Sequence, residues 1–437
     1  MGSRFAIADP SLRDTRGHHH ALSTRIAESA RIAGLSPAWI CHRSASFPDS
    51  NELAIAPIFS VSMYDAYEKN RKPQADAAWS DRLPMIGSWL AAKRKPQSKV
   101  PHEALAADIR EGAARLKLTN RDRMLFHTAD GHTYAALHLL LSDDRAESLP
   151  VFHVCTPYDP VGVMPNRVAD MPIVHSVTAW KARNMIGRRL FLYGENERLS
   201  AHIANVWKTR VDALPLPAVD APVTTPDMVT KHWDRAAESG TLKIVHLGPA
   251  RLEKGFHLIP DIVAEALRVL EADGIPAKAE PLRFVIQATP QIVGYNPQVL
   301  KAIDRLRSFG DTVRLITDTL DDKTYAELTA TSDVVLMPYG QKEYAYRSSG
   351  VVSEALSMDK IIVATANTYP ASMIAEDSGL TASTAMEFGR AIARIYEERD
   401  AFRAGAVRQG ALYRSNCAPN RYVERCLEAE ASGSKGA

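Results

Sequence analysis

Short runs of β-forming apolar residues recur along this chain with helix-length segments between them, a rhythm that suits parallel sheets built from βαβ units rather than an all-α or all-β protein. In the first half the runs are FAIA from Phe5, AWIC from Ala38, MLFHT from Met124, VFHV from Val151, PIVHSV from Pro172 and LFLYG from Leu190. In the second half they are KIVHL from Lys243, RFVIQA from Arg283, VRLI from Val313, DVVLM from Asp333 and KIIVA from Lys360. Between the two series lies ALPLPAVDAPVTTPD at 213–227, whose four prolines disfavour both helix and central strand. A chain of 437 residues can bury two cores of ordinary size. The expected organisation is an α/β protein with two doubly wound halves, residues 1–215 and 216–410, followed by a C-terminal helix and frayed tail at 411–437.

Doubly wound sheets hold ligands in crevices at the carboxyl ends of their strands, so the residues directly after strands are the ones to weigh. After KIVHL comes GPARLEKGFHLIPDIVAEALRVL, in which Ile259, Ile262, Val263, Ala266, Leu267 and Leu270 make one helix face. Arg251 and Lys254 therefore precede a helix whose dipole they oppose, an arrangement that an anion between them would make favourable. The alternative is a pair of solvated loop charges. GPARLEKG lacks both the Gly-Lys-Ser/Thr ending of a triphosphatase loop and the GxGxxG spacing of a dinucleotide fold.

The second locus is YRSSGVVSEALSMDKIIVA, from Tyr346. Ser348 or Ser349 can cap a helix there, and Val351, Val352, Ala355 and Leu356 share its apolar face. Glu354 falls on the opposite side, about one turn in from free N–H groups that attract anions. Its carboxylate can accept two hydrogen bonds from a ribose diol while the amides of Ser349, Gly350 and Val351 hold phosphates; the alternative is a solvated glutamate.

In the first half DTRGHHHALSTRIAESARIAGL follows the first strand. Gly17 gives a flexible turn, and His18, His19 and His20 point about 100° apart around a helix, so they do not easily converge on one metal. One of them can face the cleft. His127, His132, His153 and Asp159 also lie at or just after strand ends, where each alone is more simply a structural group. Asp321 and Asp322 read as a helix cap rather than as metal ligands.

A formal net charge of +2 provides no global field for nucleic acid. Cys41, Cys155, Cys417 and Cys426 are scattered without CxxC pairing, which indicates neither a disulfide framework nor a zinc site and makes a reducing cytoplasm the default. No apolar stretch approaches membrane-spanning length, while peripheral contact with the inner face of a membrane is left open.

The strand followed by Arg and Lys, then by a small-residue turn and a glutamate ahead of the last strand, resembles the nucleotide-binding half of the GT-B glycosyltransferases, especially the group-1, family-4-like enzymes. LGPARLEKG looks like that family's Gly-Arg…Lys-Gly segment and YRSSGVVSEAL like its glutamate-containing segment; the likeness spans roughly residues 241–380. It implies a GT-B fold of two Rossmann-like domains facing across a cleft. Arg251 and Lys254 would contact the donor diphosphate as catalytic cations, and Glu354, Ser349, Gly350, Val351 and Gly248 would bind the donor. The acceptor side carries Gly17, His18, His19 and His127 as candidates. Tyr346 stands where the family pattern has a first glutamate. The implied activity is sugar transfer from a nucleoside-diphosphate sugar to a carbohydrate or glycolipid hydroxyl in polysaccharide or glycoconjugate synthesis, without metal or other cofactor. A sugar-nucleotide epimerase of the same fold and a non-catalytic nucleotide-sugar binder are the alternatives.

Overall fold

The computed structural model describes residues 3–15, 17–47, 53–62, 101–160, 171–233, 240–276, 280–289 and 296–433. The first half runs β1 (Arg4–Asp9), α1 (Gly17–Ile32), β2 (Ser36–His42), β3 (Ala54–Phe59), α2 (Pro101–Arg115), β4 (Arg123–Phe126), α3 (Gly131–Leu141), β5 (Val151–Thr156), α4 (Met171–Ala182), β6 (Leu190–Gly194), α5 (Glu197–Trp207) and β7 (Asp212–Ala213). The second runs α6 (Pro226–Trp233), β8 (Leu242–His246), α7 (Ile259–Ala272), β9 (Leu282–Gln287), α8 (Pro297–Arg307), β10 (Val313–Ile316), α9 (Asp322–Thr331), β11 (Val334–Met337), α10 (Gly350–Ser357), β12 (Ile361–Thr365), α11 (Tyr369–Ser372), β13 (Gly379–Ala382), α12 (Ala385–Glu397) and α13 (Arg399–Asn416). A last helix, α14 (Pro419–Gly433), follows.

Among the described residues every strand pairing is parallel, and the strand orders are β3-β2-β1-β4-β5-β6-β7 and β10-β9-β8-β11-β12-β13. In each sheet the chain first winds outward one way and then returns to wind the other. The reversals fall between β1 and β4 and between β8 and β11, and such switch points are where open parallel sheets form their ligand crevices. Apolar clusters line both faces of each sheet, as parallel sheets require.

The run from Pro172, expected as a strand, is part of α4. Its buried residues Ile173, Val177 and Trp180 recur at helical spacing, whereas Val174, His175 and Thr178 are exposed, so the period is 3.6 rather than 2. The short β3, β7 and β13 went unread; β3 carries Pro57, which an edge strand tolerates. The proline-rich segment forms neither helix nor strand from 214 to 225, and Pro226 then opens α6, where its missing N–H costs nothing.

Residues 410 and 411 both lie inside α13, and the chain returns to the first half only after it. There Tyr422, Val423, Cys426 and Ala429 of α14 join the apolar cluster of Ile26, Ala30 and Trp39. Glu430 fastens this docking: Arg123 Nε and Nη2 each donate to it at 2.8 Å, and His153 Nε2 lies 3.0 Å away. Burial alone would raise the Glu430 carboxyl, but His153 and Arg123 hold it down at about 2. Of the tail expected to fray, 431–433 are helical and 434–437 lie outside the described residues. All four cysteines are buried and unpaired. No helix among the described residues is long and apolar enough to cross a membrane.

Candidate active site

The loops leaving β1, β4, β8 and β11 carry the sequence-derived site residues, and all four open at the switch points of the two sheets. After β8 the chain turns at Gly248, whose φ of +103° favours glycine and whose N–H donates to Gln287 Oε1 at 2.6 Å. A Cβ on Gly248 would lie 2.2 Å from Lys254 Nζ, so the absent side chain makes room for the ammonium. Arg251 and Lys254 do not sit in a plain loop before the helix. Arg251 occupies the N-cap position of a short 3₁₀ turn, Leu252–Lys254, without a side-chain capping bond, and the turn folds the chain back and leaves Lys254 only 9 % exposed. Gly255 then takes φ +68° against Pro338, where any side chain would strike the Pro338 carbonyl oxygen.

Lys254 Nζ donates weakly to the Leu247 carbonyl oxygen (3.4 Å) and lies 5.6 Å from the Tyr339 ring centroid. Burial first, then the nearby Arg251 and Arg347, lower its pKa from 10.5 to about 8 against the opposing pull of Glu354 and Glu253. Three cations therefore gather at this switch point. Arg347, a part of the YRSSG stretch given no role from sequence, lies 5.4 Å from the Tyr344 ring centroid.

Helix α10 begins directly beside them. Ser349 occupies its N-cap with extended geometry (φ −143°, ψ 128°) but makes no side-chain capping bond, and Ser348 instead receives Asn196 Nδ2 at 2.8 Å. The expected serine cap is thus withheld, and the helix end keeps amides free of a capping side chain. A Cβ on Gly350 would meet nothing within 4 Å, so the approach is open. Val351, Val352, Ala355 and Leu356 are buried as their spacing predicts. Glu354 is half-buried on the other side, where burial pushes its carboxyl up to about 7 despite the Tyr325 hydroxyl, Arg25 and Lys254.

On the opposite wall, α1 starts at Gly17 and turns its three histidines to three environments. His18 keeps an exposed edge within the cleft. The protein around its ring, then His19, push its pKa down to about 3, with Asp9 opposing and His127 and Arg251 adding to the lowering. His19 is buried with Nδ1 2.7 Å from Asp9 Oδ2. His20 packs between Trp39 and Phe47 at ring distances of 5.7 and 6.0 Å, away from the site.

His127 is 1 % exposed, with Nε2 3.1 Å from Asp9 Oδ2 and Nδ1 2.8 Å from Thr128 Oγ1. It stands behind the cleft wall rather than on it. Burial would raise the Asp9 carboxyl, but His19 and His127 hold it far below the usual carboxylate range. Asp9 had a legible signal, as the polar residue that ends the first strand. Of the remaining polar candidates, His132 is exposed, His153 is a buried anchor for α14, Asp159 lies 3.2 Å from His202 and Asp321 caps α9.

The halves are joined across the cleft by Asn196, which is fully buried. Its Nδ2 donates to the Tyr346 carbonyl oxygen and to Ser348 Oγ, both at 2.8 Å, while its Oδ1 caps α5 by accepting from the Leu199 N–H. The Tyr346 ring stacks on His202 with centroids 4.1 Å apart and lies 5.5 Å from the Arg198 guanidinium. Tyr346 thus packs against the first half rather than facing the three cations.

Two doubly wound halves, each with its switch point opening on a shared cleft and with a final helix that returns to the first half, define the GT-B fold. No protein-family model matches the chain, and no curated protein matches it. Among solved structures it is similar to a glycosyltransferase from Rickettsia africae (11 % identity, all of both chains covered, TM-score 0.65). It is also similar to sucrose-phosphate synthase from Thermosynechococcus elongatus (10 %, 98 % of both chains, 0.64) and to HepE from Anabaena in complex with UDP-glucose (12 %, 98 % of this chain and 99 % of that one, 0.62).

Proposed function

We propose that the protein is a glycosyltransferase that moves a sugar from a nucleoside-diphosphate sugar to a carbohydrate or glycolipid hydroxyl, with the donor on the second half and the acceptor on the first. One observation carries the reading. Buried Lys254 gathers with Arg251 and Arg347 beside the N-terminus of α10, which has no capping side chain, a concentration of positive charge that Glu253, 3.5 Å from Arg251, and half-buried Glu354 offset only in part and that a further anion would favour. A diphosphate fits that role. Breaking the bond from the anomeric carbon to the diphosphate oxygen develops negative charge there, and preorganised cations and amides then stabilise the transition state more than the substrate. These side chains supply the charge that a divalent ion would otherwise bring to the diphosphate.

Glu354 lies about one turn into α10 and accepts from the ribose hydroxyls once it is ionised. Gly248, Ser349, Gly350 and Val351 provide close backbone approach. On the acceptor side, His18 is the histidine of its triplet that reaches the cleft space, and Gly17 and His19 hold its helix end. We place the enzyme among family-4-like transferases of polysaccharide or glycoconjugate synthesis, working in the cytoplasm or at the inner membrane face. A neighbour of this fold was solved with UDP-glucose, which makes that donor the first to try.

The test is incubation with a panel of UDP-, GDP- and ADP-sugars, reading nucleoside diphosphate released by transfer or by slow hydrolysis. Interconversion of sugars without release would make the protein an epimerase. Binding without turnover, the outcome that the position of Tyr346 favours, would make it a nucleotide-sugar binder. No binding to any member of the panel would overturn the donor site itself.

A further inference from the structure

A buried polar group in the first half has no part in donor binding. Asp9 ends β1, His127 directly follows β4, and His19 lies in the first turn of α1. Because β1 and β4 are neighbours, with Ile7 opposite Leu125, their loops leave the sheet side by side at its switch point. Asp9 Oδ2 lies 2.7 Å from His19 Nδ1 and 3.1 Å from His127 Nε2, and the three donor atoms all fall within 4.8 Å of one another. Ser23 Oγ is 3.2 Å from His127 Nε2. The four side chains belong to residues that are 3 %, 7 %, 1 % and 0 % exposed for Asp9, His19, His127 and Ser23.

A carboxylate taken out of water needs partners, and Asp9 turns one oxygen toward two imidazole nitrogens, three groups that can each offer a lone pair to a cation. A tetrahedral cation with bonds of about 2.0–2.1 Å sets its donor atoms about 3.3 Å apart, so the two separations from Asp9 Oδ2, 2.7 Å to His19 and 3.1 Å to His127, would each have to open, by about 0.6 and 0.2 Å. Two imidazole nitrogens and one carboxylate oxygen in a compact, buried setting suit a zinc-type ion, whereas calcium and magnesium seek more oxygens.

We propose that Asp9, His19 and His127 bind a divalent transition cation of the zinc type, with Ser23 Oγ or a water completing the tetrahedron. The ion ties the end of β1, the first turn of α1 and the end of β4 to one point. It thereby fixes His18, the next residue along, at the cleft surface. The site stands apart from the diphosphate cations, which lie on the other half, so its failure would leave the donor reading intact.

The experiment strips the full-length protein by prolonged dialysis against a chelator, confirms that it is folded, and titrates it with Co²⁺ and then Zn²⁺. Metal content, visible absorption and Tm are read, with nucleoside diphosphate binding followed in parallel. One equivalent of Co²⁺ with the absorption of a tetrahedral site, displaced by Zn²⁺ with a rise in Tm, is expected. His127→Gln should lower metal affinity by more than about 100-fold, since losing even a group that only orients a ligand costs about 10- to 100-fold. The double variant His18→Gln/His20→Gln should retain the site. Folded parent protein that binds well under one equivalent overturns the proposal, and this result needs no variant. So does binding that survives His127→Gln but is lost from the double variant, which would be chelation by the neighbouring histidines of α1.

Discussion

Replacing Lys254 by methionine separates the cost of the donor site from its use. The displacement of the Lys254 ammonium from 10.5 to about 8 corresponds to about 3 kcal/mol of unfavourable interaction in the empty protein, from burial and from Arg251 and Arg347. Methionine keeps the length of the stem and removes the charge, so the empty variant should be more stable than the parent at pH 7, by about 1–3 kcal/mol after some loss of packing. The pH dependence follows from the direction of the shift. Below about 8 both folded and unfolded chains hold the proton, and the full penalty is present. Between about 8 and 10.5 the folded chain releases it first, the unfolded chain binds more protons, and parent stability rises with pH, so the advantage of the variant fades across that window.

Ligand binding should move the other way. Loss of one charge-assisted contact should weaken nucleoside diphosphate binding by about 1.5–3 kcal/mol, or about 10- to 150-fold. Urea unfolding at pH 7 and pH 10, together with calorimetric titration of UDP, measures both effects. A variant that is less stable than its parent at pH 7, or that binds UDP within twofold of the parent, refutes the reasoning.

With Glu354 raised to about 7 and Lys254 lowered to about 8, the ionised carboxylate and the charged ammonium coexist best between those values, so donor kcat/KM should be bell-shaped with its maximum there. Glu354→Gln should abolish the acid limb, and its penalty should shrink for a donor lacking the ribose hydroxyls; a profile flat from about pH 5 to 10 would sink this assignment. Arg347→Ala and Arg251→Ala should each weaken nucleoside diphosphate binding by about 1.5–3 kcal/mol, with unaltered titration curves counting against the three-cation site. Asn196→Ala removes a helix cap and two bonds between the halves and should cost about 2–3 kcal/mol in urea melts, a loss under about 0.5 kcal/mol showing that the seam does not depend on it. Brief treatment with a chelator should leave transfer largely intact, and immediate loss restored by Mg²⁺ would contradict side-chain neutralisation of the diphosphate.

The alternation of apolar runs with helix-length segments, the proline-rich link and the placing of Arg251, Lys254 and Glu354 after strands were legible in the sequence, because each depends on neighbours within one element or one turn. Short β3 and β13 and the helix at Pro172 were not, since a brief apolar run has too few residues to reveal its period. The tertiary structure alone decided which loops meet. Strand order sets Asp9 beside His127, more than a hundred residues along the chain, and brings Arg347 and the unsealed start of α10 against Lys254. It also assigned the histidine triplet, one to the cleft, one to Asp9 and one to an aromatic pocket, and it turned Tyr346 toward the first half. Periodicity is written in the chain locally, but burial and convergence arise only when separate strands take their places in a sheet and two sheets close on one cleft.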